Sequence, residues 1–463
     1  MLDLLDDGLP LCDGVSRRAM LRVGSLGLGG LSLPQLLGRR AEASENPPAK
    51  AKNVILFWLT GGVPQHDTWD PKPEGPDSSR TPFGVIPTST PGLNIGGLMP
   101  MTSRLTHHMA VIRSMSTGDN AHSSSGYQML TGVPHIPLSR ENALPGAPND
   151  WPSLDAMIRT QIQNQQGLPS SITLPKHIAN VGDKTWPGQG AGILGQQYDP
   201  WLLTCDPSEE KFQIPALSLP EEVSQVRLDR RLGLLEQVDQ HLNKLDQHAS
   251  TQKYDLRTSQ AIELLAGQGA RQAFDLSKES DKVRDRYGRT KFGQSILLAR
   301  RLIEAGSTLV HVNWQRIEGK ENNGGWDTHK KHNESLKGWL MPIMDQSFSA
   351  LIEDLEQRGM LDETLVAWVG EFGHTPKINK NAGRDHWGSA FSIALAGGGI
   401  KGGTVIGKTD KQAGQVVEDL TRPADYIATV LHCLGISPET IVHDTEGRPI
   451  PLSRGKVIDS IVS

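Results

Sequence analysis

A doubly wound α/β fold, with a mostly parallel central sheet flanked by helices, is what the sequence predicts from three observations. Asn53-Val54-Ile55-Leu56-Phe57-Trp58-Leu59 is almost wholly apolar and stops at Thr60-Gly61-Gly62. A strand buried on both faces has that pattern. Apolar runs of the same kind return at Met109–Met115, Thr308–Val312, Thr364–Val369 and Phe391–Ala396. Helix-periodic segments stand between several of them, and strands alternating with helices build doubly wound sheets.

The elements follow in chain order. Ser16-Arg17-Arg18-Ala19-Met20-Leu21-Arg22 matches the twin-arginine export pattern, and Val23 to Leu37 forms a Gly-rich apolar stretch. Ala41-Glu42-Ala43 then supplies an A-x-A cleavage site. The stretch is shorter than the ~20 residues of a spanning helix. Residues 1–43 are therefore expected to be a signal peptide and 44–463 an exported, periplasmic or extracellular domain, and no later segment looks able to span a bilayer. Ser44–Lys52 reads as a linker, Gly62–Met101 as a long loop, and Pro134–Leu219 as irregular chain. From about 220 to 305 apolar residues recur at helical spacing, first at Val226, Leu228, Leu232 and Leu235, later at Ile296, Leu297, Leu298 and Leu302. That segment is expected to be a helical insertion covering the sheet or lying beside it. An amphipathic helix is expected over Leu336–Arg358.

Composition removes several functions. A net charge of −5 gives no reason to expect nucleic acid or an anionic membrane as partner. Cys12, Cys205 and Cys433 lie far apart without a C-x-x-C pair, so no thiolate zinc site is indicated. Cys205 and Cys433 read as two separate thiols, with one bridge as the alternative.

In open α/β sheets ligands gather outside the carboxyl ends of strands. Four clusters follow the expected strands: His66-Asp67; Asn120-Ala121-His122-Ser123; Gly325-Trp326-Asp327-Thr328-His329; and Glu371 with Arg384-Asp385-His386. Mixed carboxylates and imidazoles are metal-ligand chemistry. Asp327, His329, Glu371, Asp385 and His386 are the candidate ligands, with Asp67 a further one. Taken singly, such residues more often cap helices and tie down loops. His332 and His374 are weaker candidates, and His332 beside Lys330 and Lys331 reads as part of a solvated face.

These residues bear a family resemblance. Leu361 to Gly373 is similar to the sulfatase segment D-N-T-L-V-I-F-T-S-D-H-G, and His122 to Gly132 to the nucleophile signature C/S-x-P-S-R-x-x-L-L-T-G. Ala424 to Ile436 resembles a late helix of the same superfamily. More closely, Gly61–Lys72, Gly325–His329, Gly370–Pro376 and Gly383–Trp387 carry the motifs of domain-of-unknown-function family 1501, grouped with the alkaline phosphatases and sulfatases on fold. The chain is identified as a member of that family. The resemblance implies an alkaline-phosphatase-like fold and metal-dependent hydrolysis of phosphate or sulfate esters. The expected cofactor is a divalent ion (zinc, manganese, calcium or magnesium), and the expected substrate a small-molecule or polysaccharide ester.

The departures from the pattern bear on the chemistry. The first strand ends in Thr60-Gly61-Gly62 where the superfamily has metal-binding aspartate, and Glu371-Phe372 stands for Asp-His. His122 occupies the nucleophile position, so formylglycine cannot form there. His122 is then expected as nucleophile, general base or ligand, with Ser123 beside it and Arg384 orienting the anion. The competing expectation is a non-catalytic binding or structural protein on the same scaffold.

Overall fold

Eight strands form one sheet: β1 Asn53–Trp58, β2 Met109–Met115, β3 Ser171–Leu174, β4 Trp201–Leu202, β5 Leu309–Asn313, β6 Thr364–Val369, β7 Phe391–Gly397 and β8 Thr404–Ile406. Their order across the sheet is β8-β2-β7-β6-β1-β5-β3-β4. Every pairing is parallel except the two made by β7. The expected mostly parallel sheet is present, with β1 beside its centre. The computed structural model describes residues 46–162, 168–210, 212, 214 and 272–463. The expected signal peptide and most of the helical segment around 220–305 lie outside the described residues.

The apolar runs bury both faces because strand side chains alternate. Ile55 and Phe57 of β1 join Val310, Val312, Val366 and Trp368 in one core. Val54, Leu56 and Trp58 join Leu309, Leu365, Ala367 and Val369 in the other. Helices α3 Lys291–Glu304 and α4 Met341–Gln357 fill the first core with Ile296, Leu297, Leu298, Phe348 and Leu351. Helices α1 His122–Thr131, α2 Leu154–Gln161 and α5 Pro423–Cys433 supply Met129, Met157, Ile158, Ile427 and Leu431 to the second. The described end of the expected insertion is thus a layer of the main fold.

Two expectations need adjusting. The helix expected from Leu336 begins with a wide π turn, Leu336–Leu340, before α4. Pro342 lies directly after this π turn, in the continuous helix that runs on into α4. The stretch Pro134–Leu219 holds α2, β3 and β4, whose short runs give little periodic signal. Cys205 and Cys433 are separate thiols. No helix among the described residues is long and apolar enough to cross a membrane.

Candidate metal centre

The parallel strands all end at one edge of the sheet, and the site is assembled there. His122 opens α1 after β2, Asp327 and His329 lie on the connection after β5, and Glu371 follows β6. His386 lies just before β7, whose reversed direction returns it to the same edge. A two-residue antiparallel ladder, Gly373–His374 against His386–Trp387, joins the Glu371 and His386 segments. A second zipper holds His329 in place: Arg384 N–H donates to the Thr328 carbonyl at 3.0 Å and His332 N–H to the Ala382 carbonyl at 2.8 Å. Gly383 is required at this crossing, because a Cβ there would lie 2.0 Å from the His329 carbonyl.

Three imidazoles meet one carboxylate. Asp327 Oδ1 lies 2.9 Å from His329 Nε2 and 3.0 Å from His386 Nε2, and Asp327 Oδ2 lies 3.3 Å from His122 Nε2. His329 Nε2 and His386 Nε2 are themselves 3.0 Å apart. The other nitrogen of each ring is held from behind. His122 Nδ1 is 2.9 Å from Glu371 Oε1, His329 Nδ1 is 2.8 Å from Asp385 Oδ1, and His386 Nδ1 is 2.8 Å from the Asn120 carbonyl.

A carbonyl oxygen can only accept, so His386 Nδ1 carries the proton. In the neutral ring its Nε2 is then a lone pair facing Asp327 Oδ1 and His329 Nε2. Lone pairs from nitrogen and carboxylate oxygen at about 3 Å are stable only around positive charge, either protons or a metal ion. The donor set of His122, Asp327, His329 and His386 therefore fits a divalent cation of the zinc or manganese kind. Ligand atoms of His122, Asp327 and His386 all lie within 4.8 Å of one another. Carboxylates and a carbonyl behind the imidazoles are the usual outer partners of metal-binding histidine.

The same geometry governs charge in the metal-free protein. Burial pulls His122 down, but hydrogen bonds and charge from Asp327 and Glu371 outweigh it and push the imidazole up to about 10. The hydrogen bond to Asp327 raises His329 to about 9. Burial alone would raise Asp327, yet its three imidazole partners hold it far below the usual carboxylate range.

Glu371 and Asp385 stand behind the imidazoles rather than at their meeting point. Glu371 is fully buried, and its Oε1 also accepts Gly61 N–H at 2.7 Å. Gly61, at φ +120°, must be glycine: a Cβ would sit 2.4 Å from the Asp327 nitrogen. The Thr60-Gly61-Gly62 strand end thus works through backbone, where side-chain ligands were sought. Phe372 supports the rings, its centroid 4.6 Å from His386 and 5.0 Å from His122. Trp186 stacks on His122 at 5.7 Å.

Several expected residues lie elsewhere. Ser123 Oγ donates to the Arg140 carbonyl at 2.8 Å and accepts Ala143 N–H at 2.9 Å, so it pins a loop. Both nitrogens of His122 are engaged, which favours a ligand over a nucleophile. Arg384 is buried and donates to the Thr375 and Pro376 carbonyls, so it does not face an anion. Asp67 is buried away from the imidazole cluster, its Oδ2 3.0 Å from His332 Nε2. His332 is not on a solvated face but fully buried, and Thr328 Oγ1 lies 2.6 Å from its Nδ1. His374 is fully buried with both ring nitrogens unpartnered among the described residues. Asn120 and Gly61 were missed as functional, since a carbonyl acceptor and a close backbone approach leave little side-chain signal.

A cavity of about 320 Å³ opens beside the cluster, lined by Gly61, His122, Asp327, Trp186, Trp314 and Arg316 among others. The cavity places the imidazole cluster in reach of solvent.

The chain belongs to the family described as "Protein of unknown function (DUF1501)", whose model matches residues 51–462. No curated protein matches the sequence. Among solved structures, the chain is similar to a phosphonate monoester hydrolase from Silicibacter pomeroyi, at 13% identity and TM-score 0.39 over 88% of this chain and 76% of the other. It is also similar to a sulfatase from Pseudoalteromonas sp., at 12% identity and TM-score 0.39 over 86% and 70%. A protein of the alkaline phosphatase superfamily from Vibrio parahaemolyticus shows 9% identity and TM-score 0.34 over 85% and 68%.

Proposed function

We propose that this chain is an exported, metal-dependent hydrolase of phosphate or sulfate esters, with Asp327, His122, His329 and His386 holding a divalent ion. One observation carries the reading: three imidazole Nε2 atoms converge on one carboxylate, with every outer Nδ1 braced. A divalent ion bound there would neutralise an anionic ester and make water a stronger nucleophile. Glu371, Asp385 and the Asn120 carbonyl fix the ring orientations, and Phe372 and Trp186 exclude water from the ring faces. Export rests on the twin-arginine pattern at Arg17-Arg18.

Elemental analysis of full-length protein purified without chelator tests the reading, followed by phosphate and sulfate monoester substrates. About one or more divalent ions per chain and ester turnover that chelator abolishes are expected. A folded, metal-free preparation sinks the hydrolase. Bound metal without turnover of any ester favours the non-catalytic alternative.

A further inference from the structure

We propose that the cavity beside the metal centre takes a doubly anionic, polyhydroxylated ester, and that Arg316 receives the acidic group that is not cleaved. The inference rests on the hydrolase reading for the cleaved group alone. What points to a second charge is the imbalance along the wall.

Two carboxylates line this cavity, Asp183 and Asp327, and both are neutralised where they stand. Asp183 lies 2.8 Å from Lys176 Nζ, and Asp327 is surrounded by three imidazoles. Of the remaining wall cations, Lys291 lies 3.6 Å from Asp206. Arg316 makes no ion pair among the described residues, and its charge reaches only Asp183, a carboxylate already paired with Lys176. Its Nη2 donates to the Ala179 carbonyl at 3.3 Å, which steadies the guanidinium against the opposite loop. A guanidinium offers five N–H donors in a planar fork, so most remain for a ligand. Carboxylate, sulfate and phosphate match that fork with two parallel hydrogen bonds.

The rest of the wall fits hydroxyls. Gln315 and Asn323 present side-chain amides that no residue among the described ones engages. An amide both donates and accepts, as a hydroxyl does. Arg316 and Asp327 line one continuous cavity, so a single ligand can place one anionic group at the imidazole cluster and another at Arg316. Lys176 and Asp183 compensate each other, which leaves the second subsite to Arg316.

The test compares a hexose carrying one sulfate with the same hexose carrying two, by calorimetric titration of the full-length, as-purified protein. Metal content is measured on the same preparation. The doubly charged ligand is expected to bind at least about tenfold more tightly, since charge-assisted bidentate contacts are among the stronger hydrogen bonds. Arg316→Gln should erase that preference while leaving the affinity for the singly charged ligand within about twofold; Arg316 is exposed, so the substitution leaves the cores intact. Equal affinities in the wild type, no binding of either ligand, or a parallel loss of both in Arg316→Gln would overturn the subsite. A metal-free preparation that kept an Arg316-dependent preference would sink the hydrolase and leave the subsite standing.

Discussion

Two clusters of histidine and aspartate lie almost back to back in this protein, and they have opposite characters. In the first, Asp327, His122, His329 and His386 face one another and a cavity, with the Asp327 side chain 36% exposed. In the second, Asp67, His332 and His374 are sealed from solvent beside Arg384. One short segment serves both: Asp327 and His329 reach the first cluster, while Thr328 between them reaches His332 of the second. The difference lies in what balances the carboxylate. Asp67 has the fixed charge of Arg384 nearby and a hydrogen-bonded imidazole. Among the described residues Asp327 has three imidazoles as its side-chain partners. Residue type alone therefore does not separate the two clusters; their charge partners and their access to solvent do.

The comparison breaks most readily at Asp327. Asp327→Ala should empty the centre of metal and lower ester turnover on the order of a thousandfold, about 4 kcal/mol of transition-state stabilisation. Urea unfolding of the metal-free variant should show lower stability than the metal-free wild type, because Asp327 carries the charge opposite His122 and His329. Unchanged metal content would make Asp327 structural. Asp67→Ala should do the reverse, because it leaves the Arg384 charge buried without its carboxylate. A loss of about 3 kcal/mol in unfolding free energy is expected, with metal content per folded chain retained. A stable variant stripped of metal would move Asp67 into the centre.

Glu371→Gln sharpens the contrast from the outer side. It replaces the acceptor of His122 Nδ1 and should weaken metal binding about 10- to 100-fold in a chelator competition. Unaltered affinity would show that the brace on His122 is dispensable.

Acid should separate the clusters gradually, one pH unit at a time. Burial lowers His66 to about 3, and burial also lowers His332 and His374. These rings stay neutral when folded but gain protons when unfolded below about pH 6.5. The unfolded state then binds more protons, so stability falls as pH drops from about 6.5 toward 3. Each such ring contributes about 1.4 kcal/mol per pH unit within its window. His374→Phe, which keeps a buried ring without titration, should flatten the profile of unfolding free energy against pH. An unchanged slope would mean that His374 is already protonated in the fold.

How much of this was legible in the sequence differs by element. The long apolar runs at β1, β2, β5, β6 and β7 announced themselves, because burial on both faces demands continuous apolar sequence. Strands β3 and β4 did not, since four and two residues carry too little pattern. At the site, the residue types and their position after strands pointed to His122, Asp327, His329 and His386. Roles were harder to read, because Asp67 and Asp327 look alike in one dimension.

The sequence by itself determined the sheet, the edge where chemistry-bearing residues gather, and the family. Only the tertiary structure decided which of those residues touch. Side-chain partnership depends on how separate loops cross, as where Gly383 lies against the His329 carbonyl and Gly61 against the Asp327 nitrogen. Contacts between residues hundreds of positions apart leave no local periodicity to read. For that reason Arg384 and Ser123 became struts, and the Asn120 carbonyl became a brace for a ligand.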